Sequence, residues 1–299
     1  MNKSIKIAVI GGGSIGGAVA FGLRKAGFDN VVVTARHRET LGKFEAEGIQ
    51  TSLDNAEAAS GADIVIFAVK PFQMEAALKD TLELSGGEGL LSAEPGKFGK
   101  RFGGKEALPA EPGKFEERPS GKETLRAGSR IVVSMAPAVT AEQLRRWAPE
   151  GEALACVVPN TAAEVRESMT FISPISLSAA QSAVLEEVFG SIGSVLTVPA
   201  DKMGAGVALA SCGIAYALRY IRAASEGGVE LGLPAADSTL VVAQTVKGAA
   251  SLLEAHGTHP EQEIDKVTTP GGMTIKGLNA MEEGGFTSAV IKGLKACLE

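Results

Sequence analysis

The chain has 299 residues, about twice a typical domain of ~150, so two domains are expected, each long enough to bury a core. A net charge of −6 with no dense Lys/Arg stripe excludes nucleic acid as the main partner, because phosphate neutralisation needs clustered cations. Aromatics are only 5% of the chain and glycines number 37, which favours tight loops and close backbone packing and points to a small-molecule partner.

The sequence contains no unbroken apolar run of the ~18 residues a membrane span requires, and the N-terminus enters an apolar strand without a signal-peptide cleavage pattern. A cytoplasmic protein with no membrane partner is expected. Cys156, Cys212 and Cys297 are far apart, lack metal-ligand spacing and are odd in number, so they are expected to be small buried apolar residues rather than a disulfide framework.

The first 75 residues alternate between strand and helix. IKIAVI (5–10) is an apolar strand, and SIGGAVAFGLRKA (14–26) carries apolar positions at helical spacing and stops at Gly27. VVVT (31–34) is a second strand, 39–47 a helix and ADIVIFAVK (62–70) a third strand. Continuous apolar strands separated by helices predict a parallel sheet covered on both faces.

Between the first strand and helix, Gly11, Gly13 and Gly16 form a G-x-G-x-x-G. Its position directly after a strand and at a helix start gives each glycine a task. The first permits the turn, the second lets a pyrophosphate approach the backbone, and the third lets helix and strand pack closely. Amides at the helix start, from Ser14 and Ile15 onward, then face the phosphates. An NAD site usually has an acid at the end of the second strand. This chain instead reads TARHR, and the guanidinium groups of Arg36 and Arg38 suit a 2′-phosphate, so NADP(H) is favoured over NAD(H). Asn55 and the FAVKP stretch, with Ala68, Val69, Lys70 and Pro71, fall where loops leave the sheet beside the cofactor.

Residues 85–128 are rich in Gly, Pro and mixed charge and contain AEPGKF twice, at 93–98 and 110–115. Such composition buries too little apolar surface to offset ordering entropy, so a flexible insertion with no catalytic role is expected. It joins a helix ending near Leu84 to the strand RIVVSMA (130–136), and another strand ends near Val158. Beyond that the pattern is mainly helical, with a helix over 178–190 and a short strand VLTVP (195–199). From Asp201 to about Gly232 the pattern is helical and apolar all round, so the helix must be covered, within its own domain or by a second subunit. Pro234 starts a helix to His256, and HPEQEIDKVT leads into VTTPGGMTIKGLNAMEEGG (267–285), where Pro and two Gly stand directly before a helix start. Uncovered amides there suit a carboxylate.

GGGSIGG, FAVKP, VVPNTAA (157–163), GLPAADSTLVVAQTVKGAASLLEAHGTHP (232–260) and DKVTTPGGMTIKGLNAMEEGGF (265–286) together resemble pyrroline-5-carboxylate reductase. The resemblance covers the chain apart from 85–128. It implies NADPH-dependent hydride transfer to a cyclic imine, yielding proline. The implied fold class is α/β, with an N-terminal Rossmann-type doubly wound sheet (residues 1–172) followed by an all-α substrate and dimerisation domain (173–299). A homodimer or higher homo-oligomer follows. Thr274 matches the family threonine that hydrogen-bonds the ring nitrogen, within a substrate set of Thr269, Gly271, Gly272, Met273 and Thr274. Ala136 and Asn160 complete the expected cofactor set.

Two departures bear on the substrate. Ser211-Cys212-Gly213-Ile214-Ala215-Tyr216 stands where the family has Gly-Ser-Gly-Pro-Ala-Tyr, and Ala136-Pro137-Ala138 stands for Ala-Ala-Gly, so a reductase of a related imine is an alternative. A β-hydroxyacid dehydrogenase would need a lysine inside the long helix, and Met203 to Leu218 contains none. An F420-dependent NADP reductase shares the glycine loop but offers nothing like TTPGGMT. A non-catalytic NADPH sensor or scaffold is the remaining reading.

Overall fold

A computed structural model describes residues 3–85 and 130–299. The expected flexible insertion, with its twin hexapeptides, lies outside the described residues apart from Ser85. Two compact units divide at Met203/Gly204.

The first unit is an eight-stranded sheet. Its strands are β1 (Ile7–Ile10), β2 (Val31–Thr34), β3 (Gln50–Ser52), β4 (Ile64–Phe67), β5 (Ile131–Ser134), β6 (Ala153–Val158), β7 (Ser168–Pro174) and β8 (Gly193–Thr197). The spatial order is β3-β2-β1-β4-β5-β6-β7-β8. All neighbours are parallel, as expected for the strands of the first 75 residues, except β6 and β7, whose antiparallel register sets Cys156 opposite Ser173. The pleat sends alternate residues to opposite faces. Ile7, Val9, Val31, Val33, Ile64 and Ile66 pack with Val19 and Leu23 of helix α1 (Ser14–Lys25) and with Leu185, Val188 and Phe189 of a later helix, Ala179–Gly190. Ala8, Ile10, Val65 and Phe67 face the other way, against Met74, Leu78 and Leu82 of Met74–Ser85 and Leu144 of Ala141–Trp147. Both faces are therefore covered by helices.

The domain boundary expected at 172/173 does not match this division. β7 runs through residue 172, and β8 pairs in parallel with β7, so both strands and the helix between them complete the sheet. β7 escapes a pattern reading because its inward positions include Ser168, Thr170 and Ser173, all buried. β3 is short and polar, and the five-residue helix Asn55–Ala59 after it offers too few positions for periodicity.

The second unit is entirely helical. A single turn Met203–Gly206 continues into a π-helical turn, Val207–Cys212, and then Gly213–Glu230, Ala235–His256, Pro260–Val267, Met273–Glu283 and Phe286–Ala296 follow. Its only buried hydrophobic residues among those described are Ala208 and Ala210. Leu209, Leu218, Leu240, Val241, Met281 and Ile291 are exposed, so these helices have no core of their own. The stretch Ala200–Glu230 has 31 residues and an 18-residue window of mean hydropathy 1.3, which by length and composition alone is enough to cross a membrane. No unbroken apolar run of that length occurs in it: Ala and Gly between sparse charges raise the average.

Helix α1 lies directly on the turn Thr161–Val165. A Cβ on Gly22 would come 2.1 Å from the Ala163 carbonyl oxygen and 3.0 Å from Ile192. Gly22→Ala is therefore expected to lower stability by roughly 1–3 kcal/mol in a denaturant melt, since the contact is to backbone and cannot yield without a shift of the helix.

Candidate active site

β1 lies between β2 and β4, so the chain winds one way through β2 and β3 and the other way from β4 onward. Ligands of such sheets bind beyond the carboxyl ends of the strands at this reversal. The loops after Ile10, Thr34, Phe67, Ser134 and Val158 all emerge at that edge, which brings the expected cofactor residues together.

Gly11 has φ +110°, and a Cβ there would sit 2.8 Å from the Ala68 carbonyl oxygen. Gly16 is tighter still, at 2.1 Å from the Gly11 carbonyl oxygen and 2.8 Å from the Ala68 Cβ. Nothing lies within 4 Å of a Cβ on Gly13, so the backbone there is open to a ligand. Gly13 begins α1 with no side-chain cap, and the helix has no acid in its first turn and Arg24 and Lys25 in its last. Amides at its start, Ser14 and Ile15 included, thus lack a side-chain acceptor, and the helix dipole favours an anion in front of them.

Thr34 ties this loop to the next helix, a role the sequence reading missed. Its hydroxyl accepts from the Gly11 N–H at 3.3 Å and donates to Asn55 Oδ1 at 2.7 Å. The visible signal was a single polar residue ending the apolar run VVVT. Asn55 is half-buried, opens the helix Asn55–Ala59, and keeps its amide N–H groups without a protein partner among the described residues.

Arg36 and Arg38 are both exposed beyond β2, yet they differ. Arg38 pairs with Glu45 at 3.0 Å, and Glu45 also accepts from Thr51 at 2.7 Å. Arg36 makes no ion pair among the described residues. Ala68 receives its place from its N–H bond to the Ile10 carbonyl at 2.8 Å, and its small side chain is what Gly16 tolerates. Val69 is half-buried, while Lys70 and Pro71 are exposed where the short turn Pro71–Gln73 begins. Ala136 is buried, its carbonyl accepting from Val139 at 3.1 Å. The Asn160 side-chain oxygen caps the turn Thr161–Val165 by accepting from Ala162 at 3.0 Å, and its N–H donates to Ser168 Oγ at 3.1 Å. Asn160 thus shapes the seat of α1. Cys156 is half-buried rather than fully buried, and burial still pushes its thiol up to about 11.

The expected substrate residues all belong to the second unit. Thr269, Pro270, Gly271 and Gly272 form a tight turn closed by the Gly272 N–H donating to the Thr269 carbonyl at 2.9 Å. Pro presets the first corner, and Gly271 takes φ +72° at the second, as a type II turn demands. Gly272 then starts Met273–Glu283 with no side-chain cap. Its own amide is spent on the turn, which leaves those of Met273 and Thr274 at the helix start. Thr274 is exposed, and its hydroxyl makes no hydrogen bond among the described residues. It is not the helix cap; Gly272 holds that position. Met273 is 90% exposed.

One turn earlier in the chain, Glu263 accepts from Thr258 at 2.6 Å, Lys266 at 2.7 Å and His256 at 3.3 Å. The Lys266 ammonium and Thr258 hydroxyl hold its carboxyl down at about 2, well below its ordinary 4.5. Since the folded value is depressed, this cluster contributes stability above about pH 4.5 and loses it as pH falls toward about 2. Melts of the native protein and Glu263→Gln at neutral pH are expected to show the variant less stable, the two converging across that acid window.

Comparison with known proteins gives consistent matches. A family model for pyrroline-5-carboxylate reductase dimerisation matches residues 200–299, and one described as NADP oxidoreductase, coenzyme F420-dependent, matches residues 6–96. The chain is 33% identical over 304 residues to pyrroline-5-carboxylate reductase 1 of Dictyostelium discoideum, covering 96% of this chain but only 48% of that protein's length. It is 31% identical over 313 residues to pyrroline-5-carboxylate reductase 2 of the same organism, covering 98% and 91%. Among solved structures it resembles a pyrroline-5-carboxylate reductase from Coxiella burnetii, with TM-score 0.74, 26% identity and 99% and 96% of the two chains covered. The crystal structure of Plasmodium falciparum pyrroline carboxylate reductase with NADP bound has the same fold, at TM-score 0.76, 20% identity and coverage of 99% and 96%.

Proposed function

The chain belongs to the pyrroline-5-carboxylate reductase family, and from that premise we propose that it reduces L-1-pyrroline-5-carboxylate to L-proline with NADPH. The observation that carries the proposal is the Thr269–Gly272 turn, which starts a helix with two uncapped amides and an unengaged threonine hydroxyl beside them.

The residues at the sheet edge fit the cofactor. Gly13 leaves the backbone uncovered where a pyrophosphate would approach, and the uncapped start of α1 supplies N–H donors. Asn55 has amide donors for a ribose, and Arg36 has a guanidinium free for the 2′-phosphate. When bound, NADPH supplies the hydride. Substrate handling falls to the second unit. The N–H groups of Met273 and Thr274 hold the carboxylate, aided by the positive end of the helix dipole. The Thr274 hydroxyl donates toward the ring nitrogen, orienting the imine and supporting the positive charge of its protonated form. A fixed donor that needs no reorganisation lowers the barrier by more than the same group would in water.

A second copy of the chain covers the exposed apolar helices of the second unit in this reading, in keeping with the dimerisation model matched by residues 200–299. The groove of about 650 Å³ lined by Tyr216, Tyr220, Met281, Phe286 and Val290 is one such face. A cytoplasmic location and a small-molecule partner belong to the same reading. An F420-dependent reductase accounts for residues 6–96 alone and leaves the TTPGG turn unexplained.

Two measurements test this. NADPH oxidation is expected on adding pyrroline-5-carboxylate, and Thr274→Ala is expected to lower turnover by ~10²-fold with an unchanged melting temperature, because the hydroxyl makes no hydrogen bond among the described residues. Full activity in that variant would contradict the role given to Thr274. Arg36→Ala is expected to raise the KM for NADPH about tenfold or more while leaving that for NADH nearly unchanged, since a charge-assisted hydrogen bond contributes roughly 1.5–3 kcal/mol. The same change at Arg38 is expected to act less, its charge being already shared with Glu45.

A further inference from the structure

β2 is the strand between β1 and β3, and its last residue, Thr34, stands opposite Ile10 on one side and Ser52 on the other. At this level β1 passes into the glycine loop and β3 passes toward Asn55. The Thr34 side chain is buried, and its hydroxyl meets both, accepting from the Gly11 N–H at 3.3 Å and donating to Asn55 Oδ1 at 2.7 Å. The Thr34 carbonyl accepts from the Gly12 N–H at 2.6 Å, so the strand end holds the glycine loop by backbone as well. The backbone of Asn55 is placed without Thr34. Asp54 caps the helix Asn55–Ala59 by accepting from the Ala56 N–H at 2.8 Å and the Glu57 N–H at 3.1 Å, and the Asp54 N–H donates to Ser52 Oγ at 2.9 Å. What Thr34 decides is which way round the Asn55 amide lies.

The two ends of a carboxamide are nearly equal in size, so packing alone does not choose between them. The hydroxyl does. It has one proton, and with Gly11 donating to its oxygen that proton needs an acceptor. Asn55 Oδ1 supplies it, whereas the reversed amide would turn an N–H toward the hydroxyl and take that acceptor away. Nδ2 therefore lies on the far side of the amide, and Asn55 offers donors outward while its oxygen stays turned to Thr34. We propose that Thr34 is a positioning residue for cofactor choice: by holding Asn55 donor-outward it makes this edge favour a 2′-phosphorylated ribose over an unphosphorylated one. The inference rests on the cofactor reading given above, in which Asn55 meets the ribose. A phosphate oxygen only accepts, so it gains from an outward N–H and is repelled by an outward carbonyl. A 2′-hydroxyl both donates and accepts and is served by either end of the amide. NAD sites place an acid at the end of the second strand to take the hydroxyl proton; this chain reads TARHR there, and Thr34 keeps the Asn55 oxygen from standing in for that acid.

The test is equilibrium binding of NADPH and of NADH to the full-length protein by isothermal titration calorimetry, without substrate, with a thermal melt of each variant. Thr34→Val is expected to raise the Kd for NADPH about tenfold and that for NADH by less than about threefold, since the freed amide turns to suit a hydroxyl but not a phosphate. Thr34→Ser keeps the hydroxyl and is expected to hold the NADPH-to-NADH preference within about twofold of native. Asn55→Ala leaves the buried strand end untouched and is expected to lose the same share of that preference, and adding Thr34→Val to it is expected to change the preference no further. Equal rises for both cofactors in Thr34→Val, a native preference in Asn55→Ala, or effects of the two changes that multiply would overturn the proposal. A native protein that binds neither cofactor would overturn the cofactor reading itself, and the proposal with it.

Discussion

The first unit depends on one close approach, that of helix α1 to the loop between β1 and that helix. At Gly16 the space available for a side chain is closed by the Gly11 carbonyl at 2.1 Å and the Ala68 methyl at 2.8 Å. That approach fixes where the helix begins, and the beginning of the helix is where its unpaired amides point. The same helix is held farther along at Gly22, against the turn capped by Asn160. Thr34 joins the glycine loop to Asn55, so the end of β2 and the start of the following helix move with it. The uncapped amides at the start of α1, the Asn55 amide and the exposed Arg36 guanidinium thereby share one edge of the sheet.

The second unit works on the opposite principle. It buries almost no large side chain, and its long helix exposes apolar residues on a surface that one chain leaves open. What it makes well is local. A Pro-Gly turn sets the start of Met273–Glu283, the Glu263 cluster steadies the approach to it, and the buried pair Ser225 and Ser238 replaces a large side chain where Gly228 allows close packing of two helices. Elements that lack a core of their own gain one by association, and a unit of this kind binds stability to assembly.

Much of this was legible in the sequence because the signals were local. Gly11, Gly13 and Gly16 follow a strand and open a helix, with Gly11 at positive φ, Gly16 tightly packed and Gly13 open. The strands of β-branched residues at 7–10, 31–34, 64–67 and 131–134 announce themselves by composition. β7 did not, because Ser168, Thr170 and Ser173 are buried in it beside Phe171 and Ile172, the first two satisfied by their 3.0 Å contact, and a hydrophobicity pattern cannot see that. The domain boundary was misplaced for the same reason. The preceding turn supplies Gly272 as the cap of Met273–Glu283 and so leaves Thr274 inside the first turn, a distinction only backbone geometry makes. Pairings across long sequence separations, such as the Tyr216 hydroxyl with the Gly293 carbonyl, have no local signature at all.

The central claim is that this chain delivers a hydride from NADPH to the imine carbon of pyrroline-5-carboxylate. Its most direct test is isotopic. With NADPH deuterated at the transferable position of the nicotinamide, the account predicts proline carrying one deuterium, located at C5, in the product analysed by mass spectrometry and NMR. Proline free of deuterium, or cofactor oxidation with no proline formed, would contradict it.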